Sequence, residues 1–473
     1  MQETRLFIGG AWRGGNSTLA VTNPATGEEV GQVHFASRAD MADALTAVKK
    51  GQRAWAAVAP GQRAAIMQRI AAGLIEDVDS IAAALTAEQG KTLEEARNEI
   101  RATAGYFSSF ASIIGQIPSR IVPPDGIFPE RRIIYEPIGP VFGICPWNLP
   151  AMMPGRKIAN SLAAGCAIIV KPAKETPGTA GLIVKICEAA GVPQGVVNLV
   201  SGFSGELSET MIGSAEIRKV SFTGSTDVGK ELSALAGQHM KKVAMELGGH
   251  APVIVCEDVD AAMVAKQIAK ARYSNAGQSC MAPTRFFVHR SQYRAFADEF
   301  AAVASAIKVG NGAHTDSQMG SLASTRRLAH MEELTADALS RGANLAAGGK
   351  RLGEIGAFFA PTVLLDVPDD ARIMREEPFG PISPIQPFDT LDEVIAKANS
   401  TDFALCAYAY THDLKTAARL GSEIEAGLIG INTALVAGPT TPFGGNRDSG
   451  IGREGALEGV LESMTTKTVS LVS

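Results

Sequence analysis

Between residues 138 and 245 the chain alternates between strand-like and helix-like patterns, and this alternation constrains the fold more than any other feature. The strand-like runs are rich in β-branched residues and apolar along their length, as in strands buried on both faces. Such alternation is typical of a doubly wound parallel sheet, and a second α/β series begins after the glycine pair at 248–249. Residues from about 40 to 115 are predicted to be helical, with Asp40 as a candidate cap. The predicted strands are 141–145, 167–171, 196–200, 219–223 and 242–245, and the predicted helices between them are 151–163, 179–190 and 226–236.

Composition limits the class of protein. Of 473 residues, 46% are hydrophobic and 20% charged, as in a soluble globular protein of two or three domains. There are 44 Lys and Arg against 49 Asp and Glu, a net charge of −5 without blocks, which argues against a nucleic-acid or membrane surface. No apolar stretch approaches the ~20 residues of a membrane-spanning helix, and the N-terminus lacks the apolar centre of a secretion signal. We therefore expect a cytoplasmic protein.

One of the six cysteines stands apart from the others. Five lie in apolar runs, where a thiol is usually a small core side chain. Cys280 follows a polar, glycine-containing loop, residues 274–279, in which a thiol can be reached and ionised. Glu246, at the end of a predicted strand, is a carboxylate that could act as its base. The wide spacing of cysteines and histidines, without CxxC or HExxH, predicts neither a disulfide framework nor a metal site.

Three further loops follow predicted strands, where open α/β sheets bind their ligands. Lys171 could reach a ribose hydroxyl or a phosphate, and Asn148, in a loop stiffened by two prolines, could donate to an oxyanion. The loop with Gly224 and Ser225 precedes a helix whose positive end favours a phosphate. Each has an ordinary alternative: a solvated lysine, an asparagine that satisfies turn amides, or a capped strand-to-helix turn.

Seven short motifs occur in one fixed order along the chain. They are Pro-Trp-Asn-Leu-Pro around Asn148, Lys-Pro-Ala from Lys171, Phe-Thr-Gly-Ser ending at Ser225, Glu-Leu-Gly-Gly from Glu246, Gly-Gln-Ser-Cys ending at Cys280, Glu-Pro-Phe-Gly-Pro from Glu377, and Pro-Phe-Gly-Gly from Pro442. In this order the chain resembles the NAD(P)-dependent aldehyde dehydrogenase superfamily over essentially its whole length.

The resemblance implies three structural units. They are a doubly wound dinucleotide-binding domain (1–119 and 138–247), an α/β catalytic domain (248–440) and small strand-rich oligomerisation segments (120–137 and 441–473). The extended, proline-bearing stretch at 120–137 and the alternating last ten residues fit the third unit. A homodimer or homotetramer is therefore expected.

The resemblance also implies the roles of the site residues. Cys280 would attack the aldehyde to form a thiohemiacetal and then a thioester, and Glu246 would activate the water that hydrolyses it. Asn148 and the backbone N–H of Cys280 would stabilise the oxyanion. Lys171 would hold the adenosine ribose, and Glu377 the nicotinamide ribose. The full set of implied NADP- or NAD-binding residues is Trp147, Lys171, Lys174, Gly224, Ser225, Gly229, Leu247, Glu377 and Phe379.

Lys174 departs from the NAD-preferring pattern of the superfamily. Three residues after the ribose-binding lysine, such enzymes commonly carry a glutamate that repels a 2′-phosphate. Two lysines on one turn would attract that phosphate, so NADP is the preferred cofactor in this prediction and NAD the alternative. Glu175 would take the missing role only if the turn rotates.

Residues 148–157 resemble the matching stretch of succinate-semialdehyde dehydrogenases. There the arginine that matches Arg156 helps to hold the carboxylate of the substrate, a task suited to a guanidinium. The second arginine of that clamp is Ser274 here. Arg156 is therefore either half of a carboxylate clamp or a structural helix residue.

We therefore predict NAD(P)-dependent oxidation of an aldehyde to a carboxylic acid, on a carboxylated semialdehyde such as succinate semialdehyde or on an uncharged aldehyde. A CoA-acylating dehydrogenase is an alternative, but Glu246 favours water as the acyl acceptor. A cysteine hydrolase would not need Lys171 or Glu377 and usually pairs its thiol with a histidine. A non-enzymatic binding protein would be expected to have lost Cys280 or Glu246.

Overall fold

The computed structural model describes residues 2–125, 127–128 and 130–471. Val472 and Ser473, at the end of the predicted C-terminal strand, lie outside the described residues. Two large hydrophobic cores form around an eight-stranded and a seven-stranded sheet. Within the described ranges, every helix is too short or too polar to cross a membrane.

The first core surrounds the eight-stranded sheet, whose five central strands are parallel. All five predicted strands are present, and their ends differ from the predicted ones by at most one residue. The outer strands run antiparallel to their neighbours. In spatial order the strands are Gly450–Ile451, Lys242–Glu246, Lys219–Thr223, Val141–Ile144, Ile168–Lys171, Val197–Leu199, Leu6–Ile8 and Ala11–Arg13.

Helices pack against this sheet and against one another in two groups. The first group is Arg38–Ala56, Ser204–Gly213 and Thr226–Gln238, and the second is Pro60–Glu76, Val78–Gln89, Leu93–Ile113, Met152–Ala164 and Pro177–Ala189. The sequence predicts no helix at 204–213, because a ten-residue segment that begins and ends near glycine gives a weak helical pattern.

The predicted cap of the first helix is wrong by three residues. Ser37 is the N-cap, and its side chain accepts from the backbone N–H of Asp40. Asp40 in turn accepts from the backbone N–H of Ser37, which completes a capping box. Thr92 and Glu95 form the same arrangement at the start of the helix Leu93–Ile113.

The second core surrounds the seven-stranded sheet of the second α/β series. Its strands are parallel except for the first, and in spatial order they are Asn344–Ala347, Thr362–Leu365, Ile382–Phe388, Pro283–His289, Ala251–Val255, Cys406–Tyr410 and Leu428–Ile431. The helices of this half are Ala261–Tyr273, Tyr293–Ala306, Thr325–Ser340, Arg372–Arg375, Leu391–Ala398 and Leu414–Glu423.

Parts of the two segments predicted for oligomerisation form one sheet, whereas Gly450–Ile451 of the second segment belongs to the eight-stranded sheet. Met464–Leu471 pairs antiparallel with Glu130–Pro137, which pairs with Arg120–Val122. Met464–Leu471 lies at the edge of this sheet and is exposed beyond its first residue. The role of this sheet in assembly remains a prediction. A second small sheet, absent from the sequence prediction, contains Gln2–Thr4, Glu29–Phe35 and Ser17–Thr22.

Candidate active site

The two large sheets bring Glu246 and Cys280 together. Glu246 is the last residue of the strand Lys242–Glu246 in the first sheet, and Cys280 lies just before the strand Pro283–His289 in the second. The chain passes between the sheets through a glycine pair. At Gly249 a Cβ atom would lie 2.3 Å from the carbonyl oxygen of Cys280, so only glycine allows this approach.

The thiol of Cys280 donates a hydrogen bond to Oε1 of Glu246 at 3.2 Å. Cys280 is half-buried, whereas the other five cysteines are buried. Burial raises the pKa of the Cys280 thiol well above its ordinary value, and the negative charges of Glu246 and Glu377 add to this effect. The thiol therefore needs an adjacent base to become a nucleophile, and Glu246 occupies that position.

Glu246 belongs to a buried chain of charges. Nη2 of Arg156 donates to Oε2 of Glu246 at 3.0 Å and lies 2.7 Å from Oε2 of Glu454. The ammonium of Lys157 lies 2.7 Å from the other oxygen of Glu454. Burial opposes the ionisation of Glu454, but Lys157 and Arg156 outweigh it and hold the pKa of that carboxyl well below its usual range. Sequence reasoning missed Glu454, which lies in a glycine-rich tail without a motif of its own.

Arg156 is 2% exposed, and its guanidinium lies over the rings of Phe443 at 4.8 Å and Tyr106 at 5.9 Å. Burial alone would lower the pKa of Arg156, but the carboxylates of Glu454 and Glu246 raise it above its ordinary value. These contacts fit the alternative of a structural helix residue. Among the described residues, only Nη2 of the guanidinium makes hydrogen bonds, and Nε is buried without a partner.

Asn148 lies in the same cavity wall as Cys280. Its side-chain amide nitrogen donates to the backbone carbonyl of Gln278 at 3.1 Å, and its backbone carbonyl oxygen accepts from Lys91 Nζ at 3.0 Å and Asn275 Nδ2 at 2.9 Å. Because an amide nitrogen carries two N–H donors, one remains for a ligand in the cavity.

A buried ion pair fixes the turn after Asn148. Lys91 and Glu99 are 2% and 5% exposed, and their charged atoms are 2.6 Å apart. The second oxygen of Glu99 accepts from the backbone N–H groups of Ala151 and Met152 at 2.8 and 3.0 Å. Sequence reasoning missed both residues, since the turn that they hold is more than 50 positions away in the chain.

The loop before Cys280 has a strained backbone. Asn275, Ala276 and Gly277 have φ angles of 52°, 52° and 70°, in the left-handed region that non-glycine residues rarely adopt. A Cβ atom at Gly277 would lie 2.5 Å from the carbonyl oxygen of Gly380. The loop is held by its neighbours, including Glu95, which accepts from the backbone N–H of Asn275 at 2.7 Å.

Two adjoining cavities extend from the thiol. The smaller, of about 310 Å³, is lined by Pro146, Trp147, Asn148, Thr223, Gly224, Ser225, Leu247, Gly248, Cys280, Arg326, Arg327, Glu377 and Phe379. The larger, of about 700 Å³, shares Trp147, Gly224 and Ser225 with it and adds Lys171, Lys174 and Glu175. Together they form a cleft that runs from Cys280 to the two lysines.

The cleft fits a dinucleotide. The ammonium of Lys171 makes no hydrogen bond to a described residue although Lys171 is 7% exposed, and burial lowers its pKa. Ser225 is the N-cap of the helix Thr226–Gln238 but makes no side-chain cap bond, so amides of the first turn are left for a phosphate. Gly229 lines neither cavity; a Cβ there would lie 2.3 Å from Leu247 Cδ2, so it allows that side chain to pack.

At the thiol end of the cleft, Glu377 accepts from the backbone N–H of Gly249 at 3.0 Å. Burial raises the pKa of Glu377 to about 8. The rings of Trp147 and Phe379 meet edge to face at 5.4 Å. Arg327, which sequence reasoning missed, donates to the carbonyl of Phe379 at 3.1 Å and so holds this loop.

A doubly wound sheet with a cleft that runs from two lysines to a thiol and a carboxylate is typical of a dinucleotide-dependent oxidoreductase. The chain belongs to the aldehyde dehydrogenase family, whose sequence profile matches residues 12–469. As a member, it is an oxidoreductase that acts on aldehydes with NADP or NAD. The resemblance found in the sequence is therefore confirmed.

Several relatives match the chain along its whole length. It is 41% identical over 470 residues to 4-(hydroxymethyl)benzenesulfonate dehydrogenase TsaD1 of Comamonas testosteroni, covering 99% of this chain and 98% of the relative. It is 37% identical to the NADP(+) succinate-semialdehyde dehydrogenase GabD of Escherichia coli, covering 99% and 98%. The crystal structure of succinate-semialdehyde dehydrogenase from Burkholderia pseudomallei superposes with a TM-score of 0.97 at 39% identity, covering 99% and 98%.

Proposed function

We propose that the protein oxidises an aldehyde that carries an anionic group at its far end, with succinate semialdehyde as the first candidate and NADP as the preferred cofactor. The observation that supports the reaction is the 3.2 Å contact between Cys280 Sγ and Glu246 Oε1 at the thiol end of the cleft. A thiol and a carboxylate within hydrogen-bond reach of each other can act as nucleophile and base.

In the first half-reaction, Glu246 accepts the thiol proton and the sulfur of Cys280 adds to the aldehyde carbon. The second N–H of Asn148 and the backbone N–H of Cys280 supply donors for the oxyanion of the thiohemiacetal. A bound nicotinamide supplies the hydride acceptor. Loss of hydride from the thiohemiacetal carbon leaves a thioester on Cys280.

In the second half-reaction, Glu246 first releases the thiol proton to solvent, then takes a proton from water, and the water oxygen attacks the thioester carbon. The resulting tetrahedral species releases the carboxylic acid and returns Cys280 as the leaving thiolate, which regains a proton from Glu246. Arg156 donates to Oε2 of Glu246 and leaves Oε1 facing the thiol, so the same oxygen serves in both halves. Water is the acyl acceptor because the base lies beside the sulfur.

Relatives named for anionic substrates support the substrate class. One acts on a benzenesulfonate, others on glutarate or succinate semialdehyde, and another on 3-sulfolactaldehyde. In this chain Nε and Nη1 of Arg156 make no hydrogen bond to a described residue, and they are the guanidinium donors left for such a group. An uncharged aldehyde remains the alternative, because Glu246 and Glu454 already neutralise Arg156.

Lys174 supports the cofactor preference. It lines the larger cavity together with Lys171, at the end of the cleft away from the thiol. Glu175 lines the same cavity, but two ammonium groups there favour a ligand with an additional phosphate. The relative from Escherichia coli is named for NADP(+).

The test is reduction of NADP and of NAD by purified protein with three aldehydes: succinate semialdehyde, a sulfonated benzaldehyde, and butanal, which matches the carbon count of the first. We expect the highest kcat/KM with an anionic aldehyde and NADP, and no turnover by Cys280→Ala. A kcat/KM for butanal equal to that for both anionic aldehydes would remove the proposed substrate class and leave the enzyme class intact.

A further inference from the structure

Arg326 lies where the two parts of the cleft meet. It lines both the cavity of about 310 Å³ that contains Cys280 and the cavity of about 700 Å³ that contains Lys171. Its side chain is exposed and makes no hydrogen bond or ion pair with any other described residue. An unpaired guanidinium in a cavity wall is a binding group for an anionic ligand.

Its neighbour Arg327, in contrast, is hydrogen-bonded within the protein. Arg327 donates to the backbone carbonyls of Pro378 and Phe379 and lies 5.9 Å from the centre of the Phe379 ring. Burial lowers the pKa of Arg327 to about 10. Of the two adjacent arginines, one therefore fixes a loop of the site and the other is free.

The position of Arg326 is unfavourable for the stability of its own helix. It is the second residue of the helix Thr325–Ser340, whose first turn contains no acidic residue. A cation in the first turn opposes the helix macrodipole and destabilises the helix slightly. A bound anion would reverse this effect, because it would be attracted both to the guanidinium and to the positive helix end.

We propose that Arg326 binds the pyrophosphate of the dinucleotide, which the cofactor part of the proposed function places across both cavities. The two cavities share Ser225, the cap of a helix in the first half of the chain, and Arg326, which comes from the second half. A dinucleotide that extends from Lys171 to Glu377 has its pyrophosphate at this shared part. Arg326 then contacts the pyrophosphate from the wall opposite the first sheet, and the cofactor joins the two halves.

The test measures binding of NADP and of NAD without aldehyde, through the fluorescence of Trp147, which lines both cavities. The variant is Arg326→Gln, and the matched control is Arg375→Gln, an exposed arginine that also lacks a partner among the described residues. Because both cofactors contain the pyrophosphate, we expect Arg326→Gln to raise the Kd of both about tenfold with an unchanged ratio. Arg375→Gln should leave both values unchanged, and Arg326→Lys should recover part of the loss.

Three results would overturn the assignment. Unchanged Kd values for Arg326→Gln, with an unchanged Tm, would show that Arg326 is a solvated surface residue. Weaker binding of NADP alone would move its contact to the 2′-phosphate. An equal loss in Arg375→Gln would mean that net charge, rather than position, matters. The NAD titration makes the test independent of cofactor preference. If the wild-type protein binds NAD better than NADP, that result contradicts the role of Lys174 and leaves the role of Arg326 unaffected.

Discussion

Arg156 donates from Nη2 to Oε2 of Glu246 at 3.0 Å, and the other oxygen of that carboxylate accepts from the thiol of Cys280. The guanidinium therefore decides which oxygen faces the sulfur. Arg156 and Glu246 are each 2% exposed, so removal of one charge leaves the other buried without compensation.

Replacement of Arg156 by Met should lower kcat for every aldehyde by about a hundredfold, because Glu246 loses the donor that orients it. The unfolding free energy should fall by about 3 kcal/mol, since Glu246 and Glu454 are left with less positive charge around them. Steady-state kinetics with succinate semialdehyde and butanal, together with denaturant unfolding, check both expectations. If Arg156 also binds the substrate, KM rises for succinate semialdehyde alone; an unchanged kcat would contradict the orienting role.

Alkylation of Cys280 by iodoacetamide should be slow at pH 7 in cofactor-free protein, since burial and Glu246 raise the pKa of the thiol. Glu246→Gln removes a negative charge next to the sulfur and should therefore lower that pKa. The rate profile of the variant should shift to lower pH, with faster labelling at pH 7. Cys280→Ala is the control, because the five remaining cysteines are buried. A slower reaction in Glu246→Gln would contradict this expectation, because it would mean that proton transfer to Glu246 affects the alkylation rate more than the negative charge of Glu246 does.

Lys174→Glu should reverse the cofactor preference. A carboxylate at this position of the larger cavity repels a 2′-phosphate and can accept from ribose hydroxyls, so kcat/KM should fall for NADP and rise for NAD. We expect the NADP-to-NAD ratio to change by about a hundredfold. Lys50→Glu, an exposed lysine outside the cleft, makes the same charge change and should leave the ratio as it is.

Glu88 should make stability fall as pH rises. This buried carboxyl accepts from the backbone N–H groups of Gly178 and Thr179 at 2.7 and 3.1 Å, and burial raises its pKa to about 7 from 4.5. Below pH 4.5 the carboxyl is protonated in both states, whereas between pH 4.5 and 7 only the unfolded state releases the proton. The unfolding free energy should therefore decrease across this window, by an amount on the order of 3 kcal/mol. Glu88→Gln cannot ionise and should give a flatter profile; an identical slope in both proteins would exclude this group as the cause.

The edge strand Met464–Leu471 should join subunits. Val469 and Leu471 are 43% and 57% exposed on this strand. Asp at both positions places charge on a surface that would be buried by a partner, so the oligomer should dissociate toward monomer in light scattering. Leu414→Asp, at a residue 83% exposed elsewhere, is the control. A monomeric wild-type protein would contradict the proposed role of this sheet.

Local signals in the sequence predict the parallel strands well. The run Ile168–Lys171 is found within one residue of its predicted bounds, because strands buried on both faces have nearly continuous apolar patterns that no turn interrupts. The capping box at Thr92 and Glu95 is equally local, since its two members are three residues apart. Patterns of this kind depend only on neighbours in the chain.

The residues that support the catalytic pair could not be predicted in this way. Glu454 contacts Arg156 from nearly 300 positions away, and the pair of Lys91 and Glu99 orders a turn about 50 positions later. The role of Arg156 is also difficult to predict from the sequence alone. Its motif suggests a substrate contact, but its neighbours in space, Glu246 and Glu454, determine how many of its donors remain free.

The nucleophile and its base are carried by different sheets, with a glycine pair at the crossing between them. The 3.2 Å distance between Cys280 Sγ and Glu246 Oε1 thus depends on how both sheets are packed and is not set by either sheet alone. A core substitution far from the cleft that slides one sheet by about 1 Å could slow turnover roughly a hundredfold while leaving each half well folded. The rate of turnover is therefore more sensitive to the alignment of the two halves than the free energy of unfolding is. A search for stabilised variants must accordingly measure turnover as well as stability.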